Sequence, residues 1–250
     1  SKDSLLIMSQ NVKKYVDNGE IPFVQKAIIK DNRLIYFESY GNSDIESGAK
    51  IKNNSISRIY SMTKPIVSVA VMILVERGII GLEDNLKDYI PDFENLVVFD
   101  ESLEFEKLKN DISISDLLNH QAGFGYGWGS NPYLDSLYAK IWSQKNNQDF
   151  VRYLSTIPLF FEPKTNWRYG VSTDVLGRVI EVASNQSLFD FLYDNIFKPL
   201  EMFDTYFQIP DDKINRFVSN YRMNELENKL EKVDDRKRTK YSNVTMQSGG

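Results

Sequence analysis

Residues 57–78 read Ser57-Arg58-Ile59-Tyr60-Ser61-Met62-Thr63-Lys64-Pro65-Ile66-Val67-Ser68-Val69-Ala70-Val71-Met72-Ile73-Leu74-Val75-Glu76-Arg77-Gly78. A short extended piece, Arg58 to Tyr60, leads into Ser61, and a strongly apolar run follows from Pro65 to Val75. Such a run predicts a helix buried on every side, and at this length it does not cross a bilayer. Pro65 fits the first turn, whose amides have no intrahelical acceptor, and Gly78 is the expected stop. If the helix begins near Ser61, Lys64 lies one turn on and shares a face with the serine. An amine there reaches the hydroxyl, and a lysine held neutral can act as a general base, which makes Ser61 a candidate nucleophile. Ser47-Gly48-Ala49-Lys50 repeats the spacing, but its polar, glycine-containing setting reads as a loop.

With these residues in view, a resemblance emerges. Ser61-Met62-Thr63-Lys64-Pro65, followed by Val69 to Gly78, resembles the serine β-lactamase and penicillin-binding-protein superfamily. The branch it is most similar to is the class C β-lactamase-like carboxylesterases of the family VIII type. Ile114 to Gly123 starts as a capped helix and ends at a glycine, and it resembles that family's Leu-Leu-x-His-x-Ser/Ala-Gly segment.

Composition narrows the remaining classes. In 250 residues, 42% hydrophobic and 26% charged, the chain can bury a sizeable core as one large domain or two small ones. A net charge of -5 without a basic cluster argues against a nucleic-acid partner. With no cysteine, disulfides, thiolate chemistry and Cys-ligated zinc are excluded, and a single histidine, His120, excludes a His-rich metal site. No run is long enough for a membrane span. Ser1 opens no signal-peptide pattern, which a processed start would also lack, so a soluble protein of cytoplasm or periplasm is expected.

Ser4 to Asn18 has helical spacing and stops at Gly19. Pro22 to Ile29 and Leu34 to Tyr40 read as strands joined by an Asp31-Asn32 turn, with a polar loop from Gly41 to Asn54 behind them. Further helices are predicted at Leu134 to Gln144, Gln148 to Thr156, Ser172 to Ala183 and Leu188 to Ile196, and Asp204 to Phe207 returns to an extended pattern. Between the helical stretches, Phe124-Gly125-Tyr126-Gly127-Trp128-Gly129 alternates aromatics with glycine. It reads either as a substrate wall carried by Tyr126 and Trp128 or as a surface loop whose rings cap the core. Asp211-Asp212 and Asp234-Asp235 read as solvated loop charges.

Tyr169 stands just before the Ser172 helix, with Ser172 the expected N-cap. A phenol held near the lysine could share the Ser61 proton and pass it to a leaving group. In the family resembled, a tyrosine followed by this pattern and a Leu-Gly helix has that role. Tyr241-Ser242-Asn243 is the literal Tyr-x-Asn of class C β-lactamases, but it sits in a charged stretch without a helix behind it. The resemblance also aligns Val171 with the asparagine by which β-lactamases hold the substrate amide, which favours the esterase relatives. His120, at a helix end in an apolar Leu-Leu context, reads as a buried, hydrogen-bonded structural residue rather than the base of a Ser-His-Asp triad.

The resemblance implies an α+β fold, an antiparallel sheet flanked by helices beside a mostly helical domain. The expected parts are 1–60 for the N-terminal helix and first strands, 61–204 for the helical domain, and 205–250 for an extended or hairpin segment returning to the sheet. Relatives continue past a Gln-Ser-Gly-Gly like that at 247–250 into a helix and three strands. One of those, Lys/His-x-Gly, supplies a second oxyanion amide, so chain beyond Gly250 is expected to complete the site. The expected activity is acyl transfer on a small-molecule ester or amide, with Ser61, Lys64 and Tyr169 catalytic, Tyr126, Trp128 and Val171 around the substrate, and no cofactor or metal. A carboxylesterase leads; a β-lactam or D-amino-acid peptide hydrolase and a non-catalytic binding protein are the alternatives.

Overall fold

The computed structural model describes residues 2–99, 105–129 and 131–234. Tyr241-Ser242-Asn243, Asp235 and the 247–250 end lie outside the described residues. The described chain divides into two compact units, residues 2–58 with 208–234 and residues 59–207. Both antiparallel sheet and helix are present, and the architecture is α+β.

In the first unit, helix α1 (Lys2–Asp17) half-buries Leu5, Met8, Val12 and Val16, a stripe at three- and four-residue spacing. Strands β1 (Phe23–Lys30) and β2 (Arg33–Asp44) pair antiparallel. Asp31 and Asn32 both take positive φ, 49° and 57°, as a two-residue primed turn requires. The polar loop expected from Gly41 is partly sheet instead: β2 continues to Asp44 and pairs with β3 (Ala49–Lys50) across a bulge. The polar side chains make this possible, because the Asp44 carboxylate accepts both the amide and the hydroxyl of Ser47 and closes the turn. The second Ser-x-x-Lys therefore spans a hairpin, not a helix.

Residues from the other end of the chain complete this unit. Phe217 bridges Ile56, Ser219 N–H donates to the Ser43 carbonyl at 3.0 Å, and a hairpin follows, Asn220–Asn224 against Lys229–Asp234. Asp234, expected as a solvated loop charge, is instead half-buried and paired with Arg58, whose guanidinium also lies 4.1 Å from the Phe217 ring centroid.

The second unit contains the larger core. Its elements are α2 (Thr63–Glu76), α3 (Leu86–Tyr89), β4 (Val97–Phe99), β5 (Phe105–Lys107), α4 (Ile114–Leu118), α5 (Pro132–Tyr138), α6 (Asn147–Leu154), α7 (Ser172–Ser184) and α8 (Leu188–Leu192), the last continued by a π-helical turn. Helix α7 is the centre, packed by α2, α3, α4, α6 and α8, and eight of its first nine residues are buried. That corrects the reading of α2 as the helix covered all round. Helix α2 buries Lys64, Val67, Ala70, Val71 and Leu74, a single stripe, while Val69 and Met72 are exposed by about half. Its stripe is filled by contact with α7 and α8, and apolar composition alone does not say how many neighbours a helix has.

Two further expectations change. Ser172 is the first residue of α7, and the cap position belongs to Val171, whose amide is already bonded to the Gly125 carbonyl at 3.1 Å. Asp204 to Phe207 forms no strand; the Tyr206 hydroxyl donates back to the Phe203 carbonyl and closes a local turn instead.

Candidate active site

Ser61 is exposed in a 3₁₀ turn, Tyr60–Met62, that runs directly into α2. Side chains three apart eclipse in 3₁₀ geometry, and Lys64 accordingly comes back over the serine. Its Nζ lies 3.3 Å from Ser61 Oγ, on a side chain that is otherwise buried. From the far side of the unit's sequence, Tyr169 brings its hydroxyl to 2.6 Å from Ser61 Oγ. The amine also lies 4.9 Å from the Tyr169 ring centroid, a cation–π contact. The three polar groups thus meet at one hydroxyl.

The backbone on either side of these groups is unusual. Tyr60 has φ 44° where an extended residue was expected, and a bulky side chain in that region is held against strain by its surroundings. The strain lies one peptide before the nucleophile candidate. Gly170, one peptide after Tyr169, packs so closely that a Cβ there would overlap the Phe124 carbonyl oxygen. Arg168, one peptide before it, stacks at 3.6 Å from the Phe160 ring centroid and reaches Asp135 at 3.4 Å. The segment carrying the phenol is therefore pinned from several directions.

Around the triad lies a group of rings. Tyr126 is half-buried, 5.6 Å from Tyr169, 4.2 Å from Trp128 and 5.0 Å from Trp142 between centroids. Trp142 also donates its indole N–H to the Tyr126 carbonyl at 3.2 Å, which fixes the loop. The two readings of the 124–129 stretch divide by residue: Phe124 is fully buried and caps the core, whereas Trp128 is 64% exposed. Val171 corrects the expectation that it contacts a substrate. Its side chain is wholly buried in the core, and only its backbone serves the site, through the bond to Gly125.

His120 is half-buried rather than buried, and it makes no hydrogen bond to Ser61 among the described residues. Its Nδ1 accepts the Gly170 N–H at 3.4 Å. Burial, and then the charge of Lys64, hold its pKa below the ordinary 6.5. Sequence reasoning missed Trp142, which it took as one more helix residue, and the left-handed backbone at Tyr60 and His120; at Tyr60 the residue type gives no signal for it, and at His120 only the mild preference of histidine. Among the described residues no three His, Asp or Glu side chains converge to hold a metal.

A profile of the Beta-lactamase family matches residues 8–246. The chain belongs to the β-lactamase family. Within it, esterase EstB of Burkholderia gladioli is 31% identical over 184 residues, covering 71% of this chain and 45% of EstB. Penicillin-binding protein 4* of Bacillus subtilis is 30% identical over 177 residues, covering 69% of this chain and 35% of that protein. The solved structure of EstCE1, described as a hydrolase with promiscuous acyltransferase activity, matches at TM-score 0.80 and 23% identity. That match covers 93% of this chain and 60% of EstCE1, and it carries the β-lactamase-family fold. The chain spans about half the length of the curated relatives it matches. No described helix of this family member is long and apolar enough to cross a membrane.

Proposed function

We propose that this protein is a serine hydrolase of the acyl-enzyme type and that its substrates are small acyl esters. The observation that carries the reading is the hydroxyl of Ser61, 2.6 Å from the Tyr169 phenol and 3.3 Å from the Lys64 amine. A hydroxyl with two proton-transfer partners in reach is the arrangement an activated nucleophile needs. In the proposed sequence Ser61 Oγ attacks the ester carbonyl carbon, and its proton passes to Lys64 directly or through Tyr169. The tetrahedral intermediate collapses, the leaving alkoxide takes a proton from Tyr169, Lys64 returns the serine's proton to the phenolate, and the acyl group stays on Ser61. Water then repeats the two steps from the other side and releases the acid.

Three observations favour an ester. Val171 stands where the β-lactamase resemblance puts an amide-holding asparagine, and relatives in the family carry the names esterase and hydrolase. The rings of Tyr126 and Trp128 beside Tyr169 offer contact area for an acyl chain. The test is turnover of p-nitrophenyl acetate and butyrate by the full-length protein, with fluorophosphonate labelling mapped to Ser61. Inertness to both esters and no labelling would count decisively against the reading. A second reading, hydrolysis of a β-lactam or a D-amino-acid peptide, is favoured by the likeness to a penicillin-binding protein. Nitrocefin turnover faster than ester turnover selects it.

A further inference from the structure

We propose that His120 is a positioning residue for Tyr169, gripping the backbone on both sides of the phenol. The inference rests on the reading of Tyr169 as the proton partner of Ser61. The His120 backbone carbonyl accepts the Arg168 N–H at 3.1 Å, and its ring Nδ1 accepts the Gly170 N–H at 3.4 Å. Arg168 and Gly170 are the two neighbours of Tyr169 in the chain, so one residue holds both peptides that aim the phenol. The imidazole also lies along the phenol ring, 5.0 Å between centroids and 30° between planes, with Trp167 edge-on to it at 6.2 Å. To make these contacts His120 adopts φ 62°, a left-handed backbone that only a few non-glycine residues take readily, histidine and asparagine among them. Ending a helix does not require the imidazole, since glycine or asparagine would serve there.

The ring grip depends on charge state. Nδ1 accepts only while it carries a lone pair, which puts the proton of neutral His120 on Nε2. A second proton turns Nδ1 into a donor facing the Gly170 N–H, and that half of the grip is lost. The charged or titratable groups facing the ring are Lys64 from α2 and Tyr169 itself; Trp167 is neutral. The gripping form is therefore complete above the ordinary imidazole value of 6.5, and it is lost as pH falls through the lower folded value.

Two variants of the full-length protein test this, with ester kcat and KM measured from pH 8 down through the His120 titration. His120→Gly keeps the backbone grip and the left-handed φ but removes the ring, and kcat should fall by about 10-fold or more, because small misplacements of a reacting group cost up to ~10². KM should stay within about twofold, since the ring is not assigned to substrate. In His120→Asn the amide oxygen stands where Nδ1 stood and accepts at any pH, so most of the loss at pH 7 should be recovered. The wild-type to His120→Asn ratio of kcat should also fall as pH drops through the His120 titration, which ring NMR locates below 6.5, a comparison in which titrations common to both proteins cancel. Equal kcat in wild type and His120→Gly, or a ratio flat across the His120 titration, overturns the proposal. The Gly170 amide proton shift, followed by NMR against pH, gives a readout without catalysis: it should titrate with His120 in wild type and stay flat in His120→Asn. If the wild type turns over no ester, the hydrolase reading fails, while the amide titration still decides whether the grip exists. A Gly170 shift indifferent to His120 titration overturns it even if His120→Gly does not fold.

Discussion

A hydroxyl, an amine and a phenol occupy the same few ångströms at Ser61, and each loses something different on replacement. Lys64→Arg keeps a long basic side chain in place but removes an amine able to accept the Ser61 proton, because guanidinium stays protonated at any pH the fold survives. Ester turnover should fall to background, measured as steady-state kcat; near-wild-type turnover would remove lysine as the base. Tyr169→Phe deletes one hydroxyl from a side chain that is 38% exposed. It should lower kcat by at least ~10², the scale for losing an acid–base partner, while the melting temperature barely moves. A large drop in melting temperature with kcat intact would make the tyrosine structural. The serine, the lysine and the tyrosine were all legible as residue types at fixed positions in recognisable strings. The reach of Lys64 to Ser61 followed from helical spacing, but that of Tyr169 did not, since a separation of 108 positions carries no periodicity that measures a hydrogen bond.

Helices α4 and α7 with the segments beside them do the holding. Helix α7 starts where Val171 bonds Gly125, and the peptide before it is wedged under Phe124, so the beginning of the helix and the aim of Tyr169 are one constraint. Gly170→Ala tests it. The added methyl meets a backbone carbonyl that cannot rotate away, and an overpacked site of this kind costs ~1–3 kcal/mol. The urea midpoint should drop accordingly, and kcat should fall further than stability alone explains; an unchanged midpoint would mean the segment has room to shift. Spacing in the sequence located α1, α6 and α7 because a helix writes its own buried stripe at three and four residues, and an unbroken apolar run located α2. What spacing could not say was which helix is central. Helix α2 is the more apolar to the eye, yet α7, with Ser172, Thr173 and Asp174 inside its first turn, is the one enclosed. Burial depends on neighbours drawn from elsewhere in the chain, and so does a cap: Ser172 looked like one until Gly125 took Val171.

The same reasoning extends to contacts that join the two ends of the sequence in the first unit. Asp44, at the end of β2, is buried and accepts from Ser219 at 2.6 Å and from Lys232 at 2.6 Å, partners 175 and 188 residues away. Nothing local distinguishes Asp44 from the exposed acids around it. Burial pushes its carboxyl up, but the hydrogen bonds from Lys232, Ser219 and Ser47 outweigh that and hold it well below the ordinary 3.8. In Glu38 burial likewise pushes up, and Lys13, Lys26, Ser9 and Tyr36 together win and hold it below 4.5. For carboxyls depressed in the folded state, the stabilisation is complete above their ordinary values and is lost as pH falls through the folded ones. The urea midpoint should therefore begin to decline as pH falls below about 4.5 and keep declining towards the lowest pH at which the fold survives. Asp44→Asn should lower stability at pH 7 by less than the ~3–5 kcal/mol of a stranded buried charge, because Lys232 keeps Glu46 at 2.8 Å. It should also flatten part of the acid decline, since one of the groups taking up a proton on unfolding is gone. Parallel declines in wild type and Asp44→Asn would mean that the acid sensitivity comes from other carboxyls and that the Asp44 cluster does not secure the joined ends.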